Sequence, residues 1–422
     1  MRIAFDAVVV GAGPAGSSAA ILLARAGWDV ALVEKQLFPR RKVCGECIAA
    51  SNLPLLDALG IGADVAQDAG PALHEVMLMR GDRAVTAGLP TSSFDGHRFG
   101  RALGRETLDT SLLEQARRAG VHVFQPWSIE SIDGSPGEWH FAVRAIGSLA
   151  RSTLHAPVAI DAHGSWEGFA SSRAGPRARR RPSDLFAFKA NFHQAALPAG
   201  RLAVLSFDGG YGGMVLAGHG ITTVACCVRR DRLETWRAQV PGGNAGDAVE
   251  TFLARECGGV RAALAGASRD GPWLASGPLD PGIRARRPDD PFRIGNAAGE
   301  AHPIIGEGMS MALQSAWLLC AHLIDPVYRG RPPGPADQRD VGRRVASEWR
   351  RHFGGRLRLA SLFAHSAMRP TSATLLMTVA RRWPGLLTAG AIWGGKVRSA
   401  VDGTAGLSRW ATAPSRDPHE DT

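Results

Sequence analysis

Apolar positions along this chain fall into short runs and helical stripes that switch back and forth. Residues 7–10 are a run of four apolar residues, the signature of a buried strand. Residues 17–26 are rich in Ala and Leu, carry no proline and stop at Gly27, which predicts a helix with a glycine end. Residues 29–33 resume as a strand closed by Glu34. A basic, irregular segment, 35–43, precedes Cys44-Gly45-Glu46-Cys47, and 52–59 read as a short helix. Residues 73–90 alternate and break at glycines, as paired strands do. In 103–120 the stripe Leu108, Leu112, Leu113 and Ala116 predicts an amphipathic helix capped by Gly120. Strand 121–124, a small antiparallel meander over 127–150 and a buried strand over 157–161 follow.

Beyond a basic loop at 173–181 the pattern turns β-rich, with strands expected over 185–192, 202–207, 211–217 and 221–228 and helices over 231–239 and 245–256. The α/β alternation returns at 292–295, a long helix is expected over 308–323, and helical segments with Pro and Gly breaks extend to about residue 393. The charged run 339–358 reads as a solvated helix face. Residues 411–422 are polar and expected to be disordered.

Chemistry enters at the turn between the first strand and helix. Gly11, Gly13 and Gly16 stand as G-x-G-x-x-G. In this context Gly11 makes the tight turn, Gly13 lets backbone approach a pyrophosphate, and Gly16 lets helix pack on strand. The helix N-terminus offers free N–H groups and partial positive charge to that pyrophosphate. Glu34, at the end of the second strand, is placed to accept hydrogen bonds from adenosine ribose hydroxyls. A second glycine-rich stretch runs Ile294-Gly295-Asn296-Ala297-Ala298-Gly299 and continues through Pro303 to Gly306-Glu307-Gly308. Its small residues suit a flat ring or a ribityl chain, and the helix opening at Gly308 and Met309 can stabilise negative charge.

These blocks resemble the flavoprotein monooxygenase and geranylgeranyl-reductase superfamily, FAD enzymes with the p-hydroxybenzoate-hydroxylase fold. The first block is VVVGAGPAGSSAA to VEK. The second, Gly104-Arg105-Glu106-Thr107-Leu108-Asp109, is similar to the segment whose arginine reaches the FAD pyrophosphate. The third is GNAAGEAHPIIGEGMSMA. The resemblance implies an α/β fold: a Rossmann-like FAD-binding domain (1–70, 97–165 and 275–325) interleaved with a β-sheet substrate domain (71–96 and 166–274). A helical C-terminal region, 326–410, completes it. It also implies FAD contacts at Gly11, Gly13, Pro14, Ala15, Gly16, Glu34, Lys35, Lys42, Arg105, Gly295, Asn296, Gly299, Gly306, Gly308 and Met309, with NAD(P)H as electron donor.

The chain departs from the family's pattern in several places. Asn296 replaces an acid in the third block, and an amide can still hydrogen-bond ribityl hydroxyls. His163 replaces the aspartate of a D-G motif, which loosens the implied link to NAD(P)H. The halogenase W-x-W-x-I-P is missing, which disfavours halogenation, and Tyr211 alone survives from the reductases' aromatic strand. The catalytic candidates are His302, as a proton relay or a backbone-satisfied loop histidine, Cys44, as half of a dithiol or a pocket-lining residue, and Tyr211. Residues 209–213 read as a strand passing near the flavin or as a hairpin turn. The expected activity is oxygenation of an aromatic, polyketide or phenolic-lipid substrate. The alternatives are reduction of carbon–carbon double bonds in a prenyl or lipid chain, and a non-catalytic FAD-binding interaction protein.

Composition adds less. A chain of 422 residues is long for one core. Net charge is +10 and carried by arginine, which favours phosphate-rich ligands or anionic surfaces. No recognition helix or zinc spacing accompanies it, so neither nucleic acid nor a metal is expected. Six cysteines give no disulfide framework. With neither a leader-like N-terminus nor a run of about 18 apolar residues, the expected location is cytoplasmic. Residues 364–395 mix Leu, Trp and Arg between proline breaks. They are read as a helical cap on the FAD lobe, or else as the wall of an apolar channel with peripheral membrane contact.

Overall fold

The computed structural model describes residues 3–401 apart from 95, 166–180, 241, 285 and 329. The tail 411–422 and nearly all of the basic loop 173–181 therefore lie outside the described residues.

Two sheets organise the molecule. The first has five parallel strands in the order Phe292–Arg293, Val158–Asp161, Ala7–Val10, Val30–Val33, His122–Phe124. Its central strands are apolar on both sides because both faces are covered. On one face lie helices Pro14–Arg25, Arg105–Arg118 and Gly308–Leu323, joined in the largest core cluster through Ile21, Leu22, Leu112, Leu313 and Trp317. On the other lies a three-stranded antiparallel meander, Trp127–Ser135, Glu138–Ala145 and Arg151–Ala156, packed through Phe141, Val143 and Leu154. The meander extends past the predicted limit at residue 150 by that third strand.

The second sheet has seven strands: Ser268–Ser276, Leu185–His193, Thr222–Arg229, Gly210–Leu216, Arg201–Phe207, Glu75–Arg80 and Arg83–Gly88. All neighbours are antiparallel except Arg201–Phe207 against Glu75–Arg80. Ser268–Ser276 escapes the sequence pattern because it contains Gly271 and Pro272. Both are tolerated on an edge strand with a register shift opposite Lys189 and Asn191. Helices Gly62–Asp68 and Gly258–Leu264, seven residues each, were likewise too short to show a stripe.

Helices Arg230–Ala238, Ala245–Glu256 and Gly258–Leu264 cover one face of this sheet through Trp236, Phe252 and Leu253. The other face turns toward the glycine-rich loops and the C-terminal helices. Those helices are Pro335–Met368, Pro370–Arg382 and Gly385–Gly394. The first packs on helix Gly308–Leu323 through Trp349, Phe353 and Leu357 against Met311 and Leu318. Met377, Ala380 and Leu387 pack on Leu78, Val85 and Val204 of the seven-stranded sheet. The C-terminal region is thus a cap spanning both sheets, rather than one confined to the FAD lobe. The run 339–358 also differs from a purely solvated face. Arg356 is buried because its position on the helix points at Glu307, to which its Nη1 lies 3.8 Å away.

Candidate functional site

A cavity of about 240 Å³ runs between the glycine loops and the seven-stranded sheet. Its wall gathers candidates from distant parts of the chain: Gly13, Pro14, Ala15, Lys42, Cys44, Arg105, Tyr211, Gly295, Asn296, Gly306, Gly308 and Met309. Gly11, Gly16, Glu34, Lys35, Gly299 and His302 stand behind or beside that wall.

The glycines divide by what a side chain would meet. A Cβ on Gly13 would touch only Arg105 Nη2, at 3.7 Å, so this position opens on the cavity. On Gly16 it would lie 1.8 Å from the Gly11 carbonyl oxygen, and on Gly11 2.6 Å from that of Ala162, with φ at +99°. At Gly299 packing alone already calls for glycine: the Trp349 indole of the C-terminal cap lies 2.4 Å from where its Cβ would be. Residues 208 and 209 make the hairpin turn that pairs Phe207 with Gly210. Gly212 and Gly213 follow on the strand that borders the cavity.

Electrostatics at the Gly13 end favour an anion. Helix Pro14–Arg25 has neither a side-chain cap nor an acid in its first turn, so its N–H groups and dipole are uncompensated. Arg105 is held by a bidentate pair with Asp109, Nε to Oδ1 at 2.8 Å and Nη2 to Oδ2 at 2.7 Å. Arg40 lies 3.5 Å from Asp109 and 3.9 Å from Glu34. Lys42 makes no close ion pair among the described residues, and Asp109 and Glu34 act on it only at longer range. Burial, and then Arg105 and Arg40, push its ammonium down to about 8. Three cations thus face two carboxylates, and the surplus fits a diphosphate. Glu34 accepts backbone N–H bonds from Ala12 at 2.9 Å and Gln36 at 2.8 Å, which fixes the loop around Ala12.

At the other end, helix Gly308–Leu323 opens with Gly308 and Met309 on the cavity and no acid in its first turn. Asn296 donates from Nδ2 to Ser165 Oγ at 2.7 Å, and Gly295 N–H donates to Ser315 Oγ at 2.8 Å. Behind the helix terminus sits buried Glu307, with Lys396 Nζ 3.3 Å away. Lys396 also donates to the Gly306 carbonyl at 3.1 Å, which fastens the C-terminal segment to this loop.

The sheet side is lined by Leu202, Val204 and Val215, with Tyr211 and the buried Cys226 and Cys227 thiols beside them, and Ile304 of the 303–305 turn adds to the apolar wall. The Tyr211 hydroxyl lies 3.1 Å from His302 Nδ1, and both residues are buried. Burial keeps the phenol protonated, well above its usual range. Burial and then His365 pull His302 down to about 4, so it is neutral at pH 7.

Cys44 lines the cavity, and neither it nor Cys47 is in a disulfide. Between them Glu46, at φ +57°, is the residue that pattern reading missed. It is buried, pairs with buried Lys189, accepts from Thr223 Oγ1 at 2.5 Å and receives Arg105 N–H at 3.2 Å. Its partners lie 143 and 177 residues away, so no local spacing reveals the network.

Two glycine loops on helix N-termini, surplus cations at one end and a largely apolar chamber at the other fit a flavin-dependent oxidoreductase. Residues 4–240 match the family described as FAD binding domain, and the chain belongs to it, within the FAD-dependent monooxygenase superfamily. The family is one of FAD-dependent enzymes, as the sequence reading expected. The chain is 36% identical over 126 residues to a tryptophan 2-halogenase of Chondromyces crocatus, covering 30% of this chain and 23% of that one. It is 37% identical over 119 residues to the menaquinone reductase of Mycobacterium tuberculosis, covering 28% of each. These matches span only about a quarter of the curated relatives' length.

Among solved structures, the myxobacterial chondrochloren halogenase CndH superposes with a TM-score of 0.72 at 20% identity, covering 97% of this chain and 96% of that one. PqsL of P. aeruginosa gives 0.67 at 19%, covering 87% and 98%. A geranylgeranyl bacteriochlorophyll reductase-like protein of Thermoplasma acidophilum gives 0.67 at 17%, covering 98% and 97%. At such identities the likeness is one of fold. Among the described residues, no helix is long and apolar enough to cross a membrane.

Proposed function

We propose that this protein is a monooxygenase that takes electrons from NAD(P)H and passes one oxygen atom of O2 to an aromatic, polyketide or phenolic-lipid substrate. The observation that carries this reading is the single cavity joining an anion-binding glycine cradle to an apolar chamber whose polar handle is the Tyr211–His302 pair. FAD, when bound, supplies the redox chemistry. The residues expected to hold it are Gly13, Lys42 and Arg105 at the diphosphate, Asn296 at the ribityl chain, and Gly308 and Met309 at the ring.

The protein's own contribution is placement and dryness. Neutral His302 can accept a hydrogen bond from the Tyr211 hydroxyl at Nδ1. The Tyr211 oxygen is then free to accept a hydrogen bond from a substrate hydroxyl. With the opposite His302 tautomer, Nδ1–H donates to the tyrosine and Tyr211 donates to a substrate carbonyl. Either way the pair fixes one oxygenated end of the substrate while Leu202, Val204, Val215 and Ile304 exclude water. A second reading is reduction of a carbon–carbon double bond in a prenyl or lipid chain. It draws on the same apolar wall and on the similarity to menaquinone reductase.

The test is anaerobic addition of NADPH or NADH, followed by an oxygen pulse with a panel of phenols, aryl ketones and isoprenoid quinones. The proposal expects flavin bleaching and a product one oxygen atom heavier. A product two hydrogens heavier, formed without oxygen, would establish the reductase instead.

A further inference from the structure

Between residues 349 and 401 the chain carries eight arginines and one lysine and not a single aspartate or glutamate. This acid-free stretch supplies much of the C-terminal cap, and its outer surface is unusual. Six consecutive residues, Arg381 to Leu386, are all exposed across the break at Pro384. Trp383 and Trp393 are each 58% exposed, Leu386 51% and Leu375 66%.

The placement follows from helix geometry. In helix Gly385–Gly394 the inner side is spoken for: Leu387 packs on the sheet, Thr388 Oγ1 donates to the Gly88 carbonyl at 2.6 Å, and Gly390 faces Phe363. Leu386 and Trp393, seven residues apart, therefore share the outer side. In helix Pro370–Arg382, Leu375 and Arg382 are likewise seven apart, on the side opposite buried Met377 and Ala380. Arg382 lies over the Trp383 ring with its guanidinium carbon 5.6 Å from the centroid. Neither Arg381 nor Arg382 forms an ion pair among the described residues.

We infer that this surface docks on an anionic lipid bilayer, with Trp383, Leu386 and Trp393 at headgroup depth and Arg381 and Arg382 on lipid phosphates. Charge complementarity selects that occupant. A second copy would set two arginine-bearing patches of a +10 protein against each other, which repels. An apolar protein groove would leave the arginines unpaired. Tryptophan and arginine side by side at the junction of two short surface helices suit an interface whose one side is apolar and whose other is negative.

The experiment uses the full-length, FAD-loaded chain with vesicles of phosphatidylcholine alone or mixed three to one with phosphatidylglycerol, read by co-sedimentation. The native protein is expected to sediment with the anionic vesicles and to release as salt is raised. Arg381→Gln with Arg382→Gln should weaken that binding roughly twenty-five-fold, at about fivefold per cation. Trp383→Ala with Trp393→Ala should weaken it at least about tenfold. All four positions are solvent-exposed, so FAD content and melting temperature should be unchanged in both variants. No sedimentation of the native chain with either vesicle at physiological salt would overturn the inference, as would binding that both variants retain. A dimer in solution that the tryptophan pair dissociates, without vesicle binding, would assign the patch to a second copy and also overturn it.

Discussion

Gly13 and Gly16 sit three residues apart in one loop, yet substitutions at the two should fail in opposite ways. The Gly13 backbone is extended, with φ −72° and ψ −177°, a conformation open to any residue. Its Cβ would sit at an ordinary 3.7 Å from Arg105. Gly13→Val should therefore leave the stability of the apoprotein within about 1 kcal/mol of the native chain. The added methyls point into the cavity, where they displace the diphosphate from the helix N-terminus. Losing one hydrogen bond to a charged group costs about 1.5–3 kcal/mol, or roughly 10- to 150-fold in Kd, before any steric term. Gly16→Ala is the reverse case. Its methyl would stand 1.8 Å from the Gly11 oxygen, so helix and strand must separate. Overpacking of this kind costs about 1–3 kcal/mol and sometimes more, and it falls on the apoprotein. Denaturant unfolding of apoprotein and FAD titration by flavin fluorescence, run on both variants, separate the two effects. Native FAD affinity in Gly13→Val would show that the diphosphate does not lie against this loop. A fully stable Gly16→Ala would refute the packing argument.

Other outcomes follow from the buried charges and the polar handle. Lys42 titrates at about 8 in the free protein, and a bound diphosphate must raise that value. FAD affinity should then be flat below about pH 8 and fall as pH rises from there to the bound-state pKa. Proton uptake on binding at pH 8.5 should be visible by calorimetry in two buffers, and Lys42→Met should abolish both effects. Glu46→Gln strands Lys189 in the interior and should cost about 3–5 kcal/mol, whereas pairing it with Lys189→Met should recover most of that in urea unfolding. A single variant indistinguishable from the native chain would mean that the pair is solvated. Tyr211→Phe should retain FAD but lose roughly tenfold in kcat/KM on an oxygenated substrate. An unchanged value would remove Tyr211 from substrate placement.

What the chain reveals unaided is what local spacing can encode. Strand Ala7–Val10, the three glycines and helix Pro14–Arg25 follow one another within 19 residues, so their register is readable from composition alone. Helix Gly308–Leu323 emerged with the bounds its apolar pattern predicted, since its start is marked by glycine and its stripe is long. Arg105 and Asp109 lie one helical turn apart, and their pairing needs only that spacing.

Tertiary structure decided everything that depends on which distant segments meet. Glu46 reads as an unremarkable acid between two cysteines until the sheet brings Lys189 and Thr223 to it across 143 and 177 residues. Gly299 looks like one more loop glycine until Trp349 closes on it. From sequence the C-terminal helices read first as a cap and second as a channel wall. Among the described residues, none from 364–395 reaches the cavity, because Met377, Ala380 and Leu387 bury against the back of its wall. Periodicity reports that a helix has an apolar face, but the area that face covers is set by packing between elements far apart in sequence. For the same reason only the folded chain shows that Trp383 and Trp393 remain uncovered.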